Sequence, residues 1–345
     1  MKNMLRKFGR AVFKAFPGLR SFYDVQRTRF AFAKASAYHV RDALHTHRHM
    51  RWKFVQHNYW KLSSELIFQY HKLEKGLCIP GKKRFFGAEP AFCTVRLVNA
   101  WGAAGYPTHD SIYVAALETL RAYRARLDVT PPPDDIAARL TGDIDACLAN
   151  RPLVPAMTTP IPHTVVSPGT FDVLRDLCIA RRSVRSYRER PVPTGEVKAA
   201  IAVAQLSPSA CNRQPWRVHL YQDREKIDAM LALQNGNAGF GRYIQMLLVI
   251  AADSHSFFDG SERNEPYIDA GLFSMTLILA LQARGLSSCC LNWCVAPETD
   301  LEAHRRGGIP ENERIVMFLA VGYAADEAVV PRSVRRSIES LTVLH

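Results

Sequence analysis

Over the first 150 residues, apolar positions recur at spacings of three and four, the period of helices that bury one face. Leu5, Phe8, Val12, Phe13 and Phe16 alternate with Lys2, Arg6, Lys7, Arg10 and Lys14, predicting a short basic amphipathic helix closed by Pro17-Gly18. Further helices are predicted over 24–60, 62–75, 91–100, 110–127 and 134–149, with Gly76 as the C-terminal cap after Lys75. From Phe171 the period changes repeatedly. Phe171–Ala180 reads as helix, Thr194 as the cap of a helix ending near Leu206, and Ile268–Arg284, apolar nearly all round, as a central helix stopped by Gly285. Arg217–Tyr221, Met246–Ala252, Leu286–Trp293 and Ile315–Val321 read as strands.

The expected architecture is therefore α+β: a mixed sheet flanked by helices, preceded by an all-α domain. Eight prolines fall between Pro131 and Pro168, which marks a connector because proline removes a backbone donor and restrains its predecessor. The expected division is a basic helical domain over 1–128, a Pro-rich linker with a helix over 129–168, and a second domain over 169–345.

Charge sharpens this division. Residues 1–100 hold 20 Lys and Arg against 5 Asp and Glu, whereas residues 101–345 hold 25 against 27. A field confined to the N-terminal region suits an anionic partner, such as a membrane surface met through residues 1–20, or is simply a solvated basic face. No nucleic-acid recognition motif accompanies it, so nucleic acid is not an expected partner. The basic loop Pro80-Gly81-Lys82-Lys83-Arg84 has the same two readings, phosphate holder or solvated turn. His45, His47 and His49 alternate within a predicted helix and point to different faces, which argues against a shared metal ion. No apolar run reaches the ~18 residues of a membrane span. The 8 cysteines include no C-x-x-C pair. With no secretory leader evident, the expectation is reduced thiols in the cytoplasm, with the inner membrane face as a peripheral option.

Three clusters in the second domain suit chemistry. Arg181-Arg182-Ser183-Val184-Arg185 offers guanidinium forks and a hydroxyl to an anion, or is an exposed Arg-rich turn. Ser207–Trp216 carries Asn212 and Gln214, whose amides present donors and acceptors to a heterocycle edge, or is an ordinary polar turn. Arg332, Arg335 and Arg336 form a basic tail.

In this order, with YIDAG at Tyr267–Gly271 and IPENERIVMFLAVGY at Ile309–Tyr323, the clusters resemble the FMN-dependent nitroreductase family across 171–341. The resemblance implies an FMN site: Arg181, Ser183 and Arg185 on the phosphate and ribityl chain, with Arg182 beside them, Asn212 and Gln214 at the pyrimidine edge, and Arg335 and Arg332 closing on the phosphate. It also implies a homodimer that shares the flavin, and transfer of hydride from NADH or NADPH through FMN to a small oxidised acceptor. No side-chain nucleophile or metal is required. Leu291–Trp293 occupies the place of the family's N5-side amides without the common Gly-rich sequence. The short segment between the strand at Met246 and the helix at Ile268 leaves the N-terminal helices as the expected roof. The Tyr70–Leu77 segment ahead of such a domain is similar to two-part bacterial chains associated with polysaccharide synthesis. The fold alone and the basic N-terminal region keep two alternatives open: a flavin-binding protein with non-reductase chemistry, and a membrane-surface binding module linked to polysaccharide synthesis.

Overall fold

The computed structural model describes residues 17–50, 58–79, 84–149 and 167–345. The predicted helix at residues 5–16, the tip of the basic loop at 80–83 and most of the Pro-rich stretch lie outside the described residues. The chain divides into two units, one ending at His49 and one starting at Met50.

The first unit contributes α1 (Pro17–His49), a single 33-residue helix. The second begins with four helices, α2 (Tyr59–Cys78), α3 (Ala88–Ala103), α4 (Ser111–Val129) and α5 (Asp134–Leu148). The expected continuous helix over 24–60 is interrupted, because Asn58 accepts the Lys61 N–H at 2.9 Å and so caps a new start. Leu66, Leu73, Val98, Trp101, Leu117, Tyr123 and Ile144 close the core of this bundle. Helix α5 belongs to it, burying Leu140, Ile144 and Cys147. Gly76 lies inside α2 and caps nothing. A Cβ there would stand 2.1 Å from the Phe86 ring, so the glycine is needed for close approach.

The remaining elements are α6 (Thr170–Ala180), α7 (Thr194–Ala204), β1 (Trp216–Tyr221), α8 (Arg224–Leu231), β2 (Met246–Asp253), α9 (Glu265–Ala283), β3 (Ser287–Asn292), α10 (Pro297–Gly307) and β4 (Glu313–Gly322). The strands pair antiparallel in the order β1-β2-β4-β3. A short parallel bridge, Ser183 to Ser288, adds the mixed character beyond β3. Every residue of β2 is buried, as its continuous apolar run requires of a strand covered on both faces. Helix α9 packs one face of the sheet through Phe273, Leu277 and Leu281, each fully buried. Its length and composition alone would suit a membrane span, but here it is a core helix. Gly285, at φ 74°, follows it in the left-handed conformation that ends helices. Thr194 does not cap α7: its hydroxyl donates to Gln222 Oε1 at 2.9 Å, and Pro193 precedes the first turn. Helices α8 and α10 are short and were not anticipated. All eight cysteines are free.

A polar seam joins bundle to sheet. Arg217 on β1 lies over the Trp60 ring, 3.0 Å from its centroid, and reaches Asp253 at 3.1 Å and Glu313 at 3.4 Å. His219 meets Glu313 at 2.6 Å, and Tyr59 donates to Asp110 at 2.9 Å. Burial pushes the Asp253 carboxyl above, and the His255 imidazole below, their ordinary ranges.

Candidate functional site

The arginine cluster begins where α6 ends. Arg181 follows its last turn, and the chain then runs beside β3, with the Val184 N–H donating to Ser288 O at 3.1 Å. Arg182 Nη2 donates to the carbonyls of Pro331 at 3.2 Å and Arg332 at 2.6 Å, bringing the tail to this edge. Arg185 Nη1 donates to Ser183 O at 3.3 Å. Burial raises the Cys289 and Cys290 thiols, while nearby Arg185 and Arg181 respectively act in the opposite direction. Arg335 instead turns onto its own segment, donating to Ser333 O. Thus Arg181, Arg182, Ser183, Arg185 and the Arg332 backbone share one edge, and the hydrogen bond of the Arg335 side chain is to its own segment.

Tyr187 anchors this stretch. It is buried, its hydroxyl donates to Val184 O at 2.8 Å, and its ring rests on Gly322, where a Cβ would come within 2.6 Å of Cδ1 and 3.3 Å of Cβ. The near side of a buried ring has nowhere to move. Gly322→Ala is therefore expected to cost on the order of 1–3 kcal/mol in urea unfolding. A cost below about 0.5 kcal/mol, within the range of surface substitutions, would show the ring is free to shift.

The asparagine turn is held from beneath by Arg213, a buried residue between exposed Asn212 and half-buried Gln214. Arg213 Nε donates to Ala210 O at 2.9 Å and Nη1 to Ser256 O at 2.9 Å. Two further bonds, at 2.9 and 2.6 Å, grip the Glu262 carboxylate. Cys211, Asn212 and Gln214 sit at φ 51°, 57° and 51°, left-handed values costly for residues with a Cβ. Such strain persists only where surroundings over-determine it, and it concentrates at functional sites. Ser209 Oγ accepts the Gln214 N–H at 3.0 Å, while Gln214 Nε2 donates to Asn212 O at 3.1 Å.

Within one chain the two halves lie at opposite corners of the sheet. The turn precedes β1 and the arginines flank β3, three strand spacings or about 14 Å apart. Trp216 aligns through Ala252 with Arg314, whereas Ser288 aligns with Val321, about 24 Å further along β4.

The nitroreductase family model matches residues 179–238 and 231–323, which contain both halves. An Archaeoglobus fulgidus protein named as an NADH dehydrogenase/NAD(P)H nitroreductase is 30% identical over 151 residues, 43% of this chain and 83% of that relative. The chain belongs to the nitroreductase family. A nitroreductase of Mycolicibacterium smegmatis is 26% identical over 199 residues, 44% of this chain and 82% of its own. An iodotyrosine deiodinase of Nematostella vectensis is 23% identical over 273 residues, 68% of this chain and 99% of its own.

Family membership directs attention to what surrounds the turn. Helix α2 packs against it and against the loop after β2: Ser64 Oγ donates to Ser256 Oγ at 3.1 Å, and the Phe68 and Phe258 rings lie 5.7 Å apart. The helical bundle of this nitroreductase-family chain thus stands beside the asparagine turn. At the far end of β3, Trp293 stacks on Phe318 at 4.4 Å and donates to Asp300, while Asn292 O accepts from Gln234 at 3.0 Å.

Two supports of the turn were missed in the sequence. Arg213 looked like one more polar turn residue. Asp269 stood inside the YIDAG motif with no role, although an acid in an otherwise apolar helix was a usable signal. The Asp269 carboxylate accepts the Ala210 N–H at 3.1 Å, and burial pushes its pKa from 3.8 up to about 6. The folded chain therefore holds this proton more tightly than the unfolded chain does. The stability so gained is full below about pH 3.8 and is lost as pH rises through about 6. Asp269→Asn keeps an acceptor for Ala210 and is expected to raise the urea midpoint at about pH 7.5 while leaving it nearly unchanged at about pH 4. Equal midpoints for variant and parent at the higher pH would show that the carboxylate is comfortably solvated.

Proposed function

We propose that the protein is an FMN-dependent oxidoreductase that takes reducing equivalents from NADH or NADPH and delivers them to a small oxidised acceptor, working as a homodimer. The observation that carries this reading is the arginine cluster on the free edge of β3. Arg181, Arg182, Ser183 and Arg185 suit a phosphate, because Arg188, the next cation, already has its carboxylate in Asp326. Arg181, Ser183 and Arg185, beside Ser288 at the end of β3, would hold the phosphate and ribityl chain. When bound, FMN supplies two-electron chemistry between a nicotinamide and an acceptor. The guanidiniums would neutralise the phosphate and favour negative charge on the ring, and the amides of Asn212 and Gln214 would orient the heterocycle. No side chain is asked to form a covalent bond.

The opposite-corner arrangement supports the dimer: a second copy would bring its own asparagine turn to this arginine edge. Helix α6 has no buried residue and exposes Phe171, Val173, Leu174 and Ile179, while α9 exposes Ile268 and Met275. Apolar area of this extent suits burial against another copy.

Purified protein is expected to be yellow, to elute as a dimer and to bleach on anaerobic addition of NADH or NADPH. Colourless protein that FMN does not reconstitute would overturn the reading. Similarity to an iodotyrosine deiodinase over 68% of this chain favours a second reading, reductive removal of a ring substituent. Iodide release from iodotyrosine, compared with turnover of a nitroaromatic, separates the two.

A further inference from the structure

Helix α1 carries a pattern that flavin chemistry does not use. Positions 19, 23, 26, 30, 33, 37, 40 and 44 step by alternating fours and threes, and all but Gln26 are apolar. The step averages 3.5 residues, the repeat of a supercoiled helix seam. The seam is solvent-facing, with Leu19, Phe30, Val40 and Leu44 between 52% and 73% exposed. Beside it, positions seven apart hold Arg20, Arg27, Lys34, Arg41 and Arg48. The acids of the helix, Asp24 and Asp42, fall outside both the seam and its flanks.

Three occupants of such a face differ in what they ask of the charges. A second copy of α1 running antiparallel would set this cationic row against itself, and one running parallel would set it against Phe22, Arg29, Ser36 and Ala43, none of which is acidic. A flat anionic bilayer attracts the cations but does not hold them in line. In a straight helix a seven-residue repeat drifts by ~20° per heptad, so the row would turn ~80° away from a plane across its four heptads. A helix that winds with α1 cancels this drift. Ala33 and Ala37 at mid-seam suit the close approach of another backbone, while Phe22, Val25 and Phe32 are exposed apolar residues outside the seam.

We propose that α1 is one strand of a heterotypic left-handed coiled coil whose partner is a helix with the same seven-residue repeat and acidic flanks. At ~1.5 Å per residue the seam from Leu19 to Leu44 offers about 38 Å of contact. The partner's seam side chains fill the gaps between Leu19, Phe30, Val40 and Leu44, and its carboxylates face the cationic row, which sets both orientation and choice of partner.

The test titrates the full-length protein into a labelled four-heptad peptide with leucine at the seam and glutamate at the flanks, read by fluorescence anisotropy. A peptide with lysine flanks and vesicles of phosphatidylserine and phosphatidylcholine run in parallel. The glutamate peptide is expected to bind, the lysine peptide not. Phe30→Glu combined with Leu44→Glu is expected to weaken binding at least ~10-fold, with far-UV dichroism showing α1 still helical. Four results would overturn the proposal: no binding of the glutamate peptide, equal binding of the lysine peptide, peptide binding indifferent to the double substitution, or vesicle binding or self-association that the double substitution abolishes. None of these readouts depends on flavin content, so the proposal stands or falls apart from the redox reading.

Discussion

Arg213→Met is expected to lower the unfolding free energy by about 3–5 kcal/mol, the usual cost of breaking a buried ion pair from one side. Methionine nearly matches the arginine stem in volume, so cavity formation contributes little. What is lost includes the four hydrogen bonds to Ala210, Ser256 and Glu262 and the contact with the Phe257 ring, and what is left is the Glu262 carboxylate, 14% exposed, which still accepts the Phe258 N–H at 3.0 Å. The carbonyls of Ala210 and Ser256 lose a donor as well. Removing the acid too, in Arg213→Met with Glu262→Met, is expected to recover much of the loss, since the stranded charge goes with it. Urea unfolding of the parent, both singles and the double closes the cycle. A single-variant cost below about 1 kcal/mol would mean that water reaches Glu262 freely and that Arg213 is not what braces the turn.

Arg181→Ala combined with Arg185→Ala is expected to weaken FMN binding by roughly 10²- to 10⁴-fold, on the basis of about 1.5–3 kcal/mol for each hydrogen bond to a charged group. The fold should survive. Arg181 is half-exposed and Arg185 exposed, and the hydrogen bond described for the Arg185 side chain is the 3.3 Å contact with Ser183 O, so neither braces the core. Titration of flavin-free protein, followed by quenching of FMN fluorescence, gives the ratio directly. A change of less than about threefold would move the phosphate site away from this edge.

These two expectations rest on residues that looked alike in the sequence. Arg181, Arg185 and Arg213 are each arginines in polar turns, and only clustering sets the first two apart. Two remain in solvent, fit to meet an anion, while the third is consumed by Glu262, 49 residues away. That separation is set by how the loop after β2 folds back over β1. The same reasoning covers Gly76, which reads as a cap from its position and proves to be clearance for Phe86.

Other features were legible in advance because they are local. The apolar run Met246–Ala252 demanded a covered strand, and the nearly uniform apolar stretch ending at Gly285 demanded a central helix. Their periods record which face is dry, and burial of that face dominates the energetics. The order of the three clusters along the chain was legible too, and with it the family. Periodicity carries no information about which distant segments meet. Pairing of Ser183 with Ser288 at one corner, and of Ala210 with Asp269 at the other, is decided when the sheet closes and each buried polar group finds its partner. The sequence thus determined the elements and the chemistry available to them. Only the tertiary structure set the arginines and the asparagine turn at opposite corners of the sheet, because strand order and register are decided by contacts between distant segments.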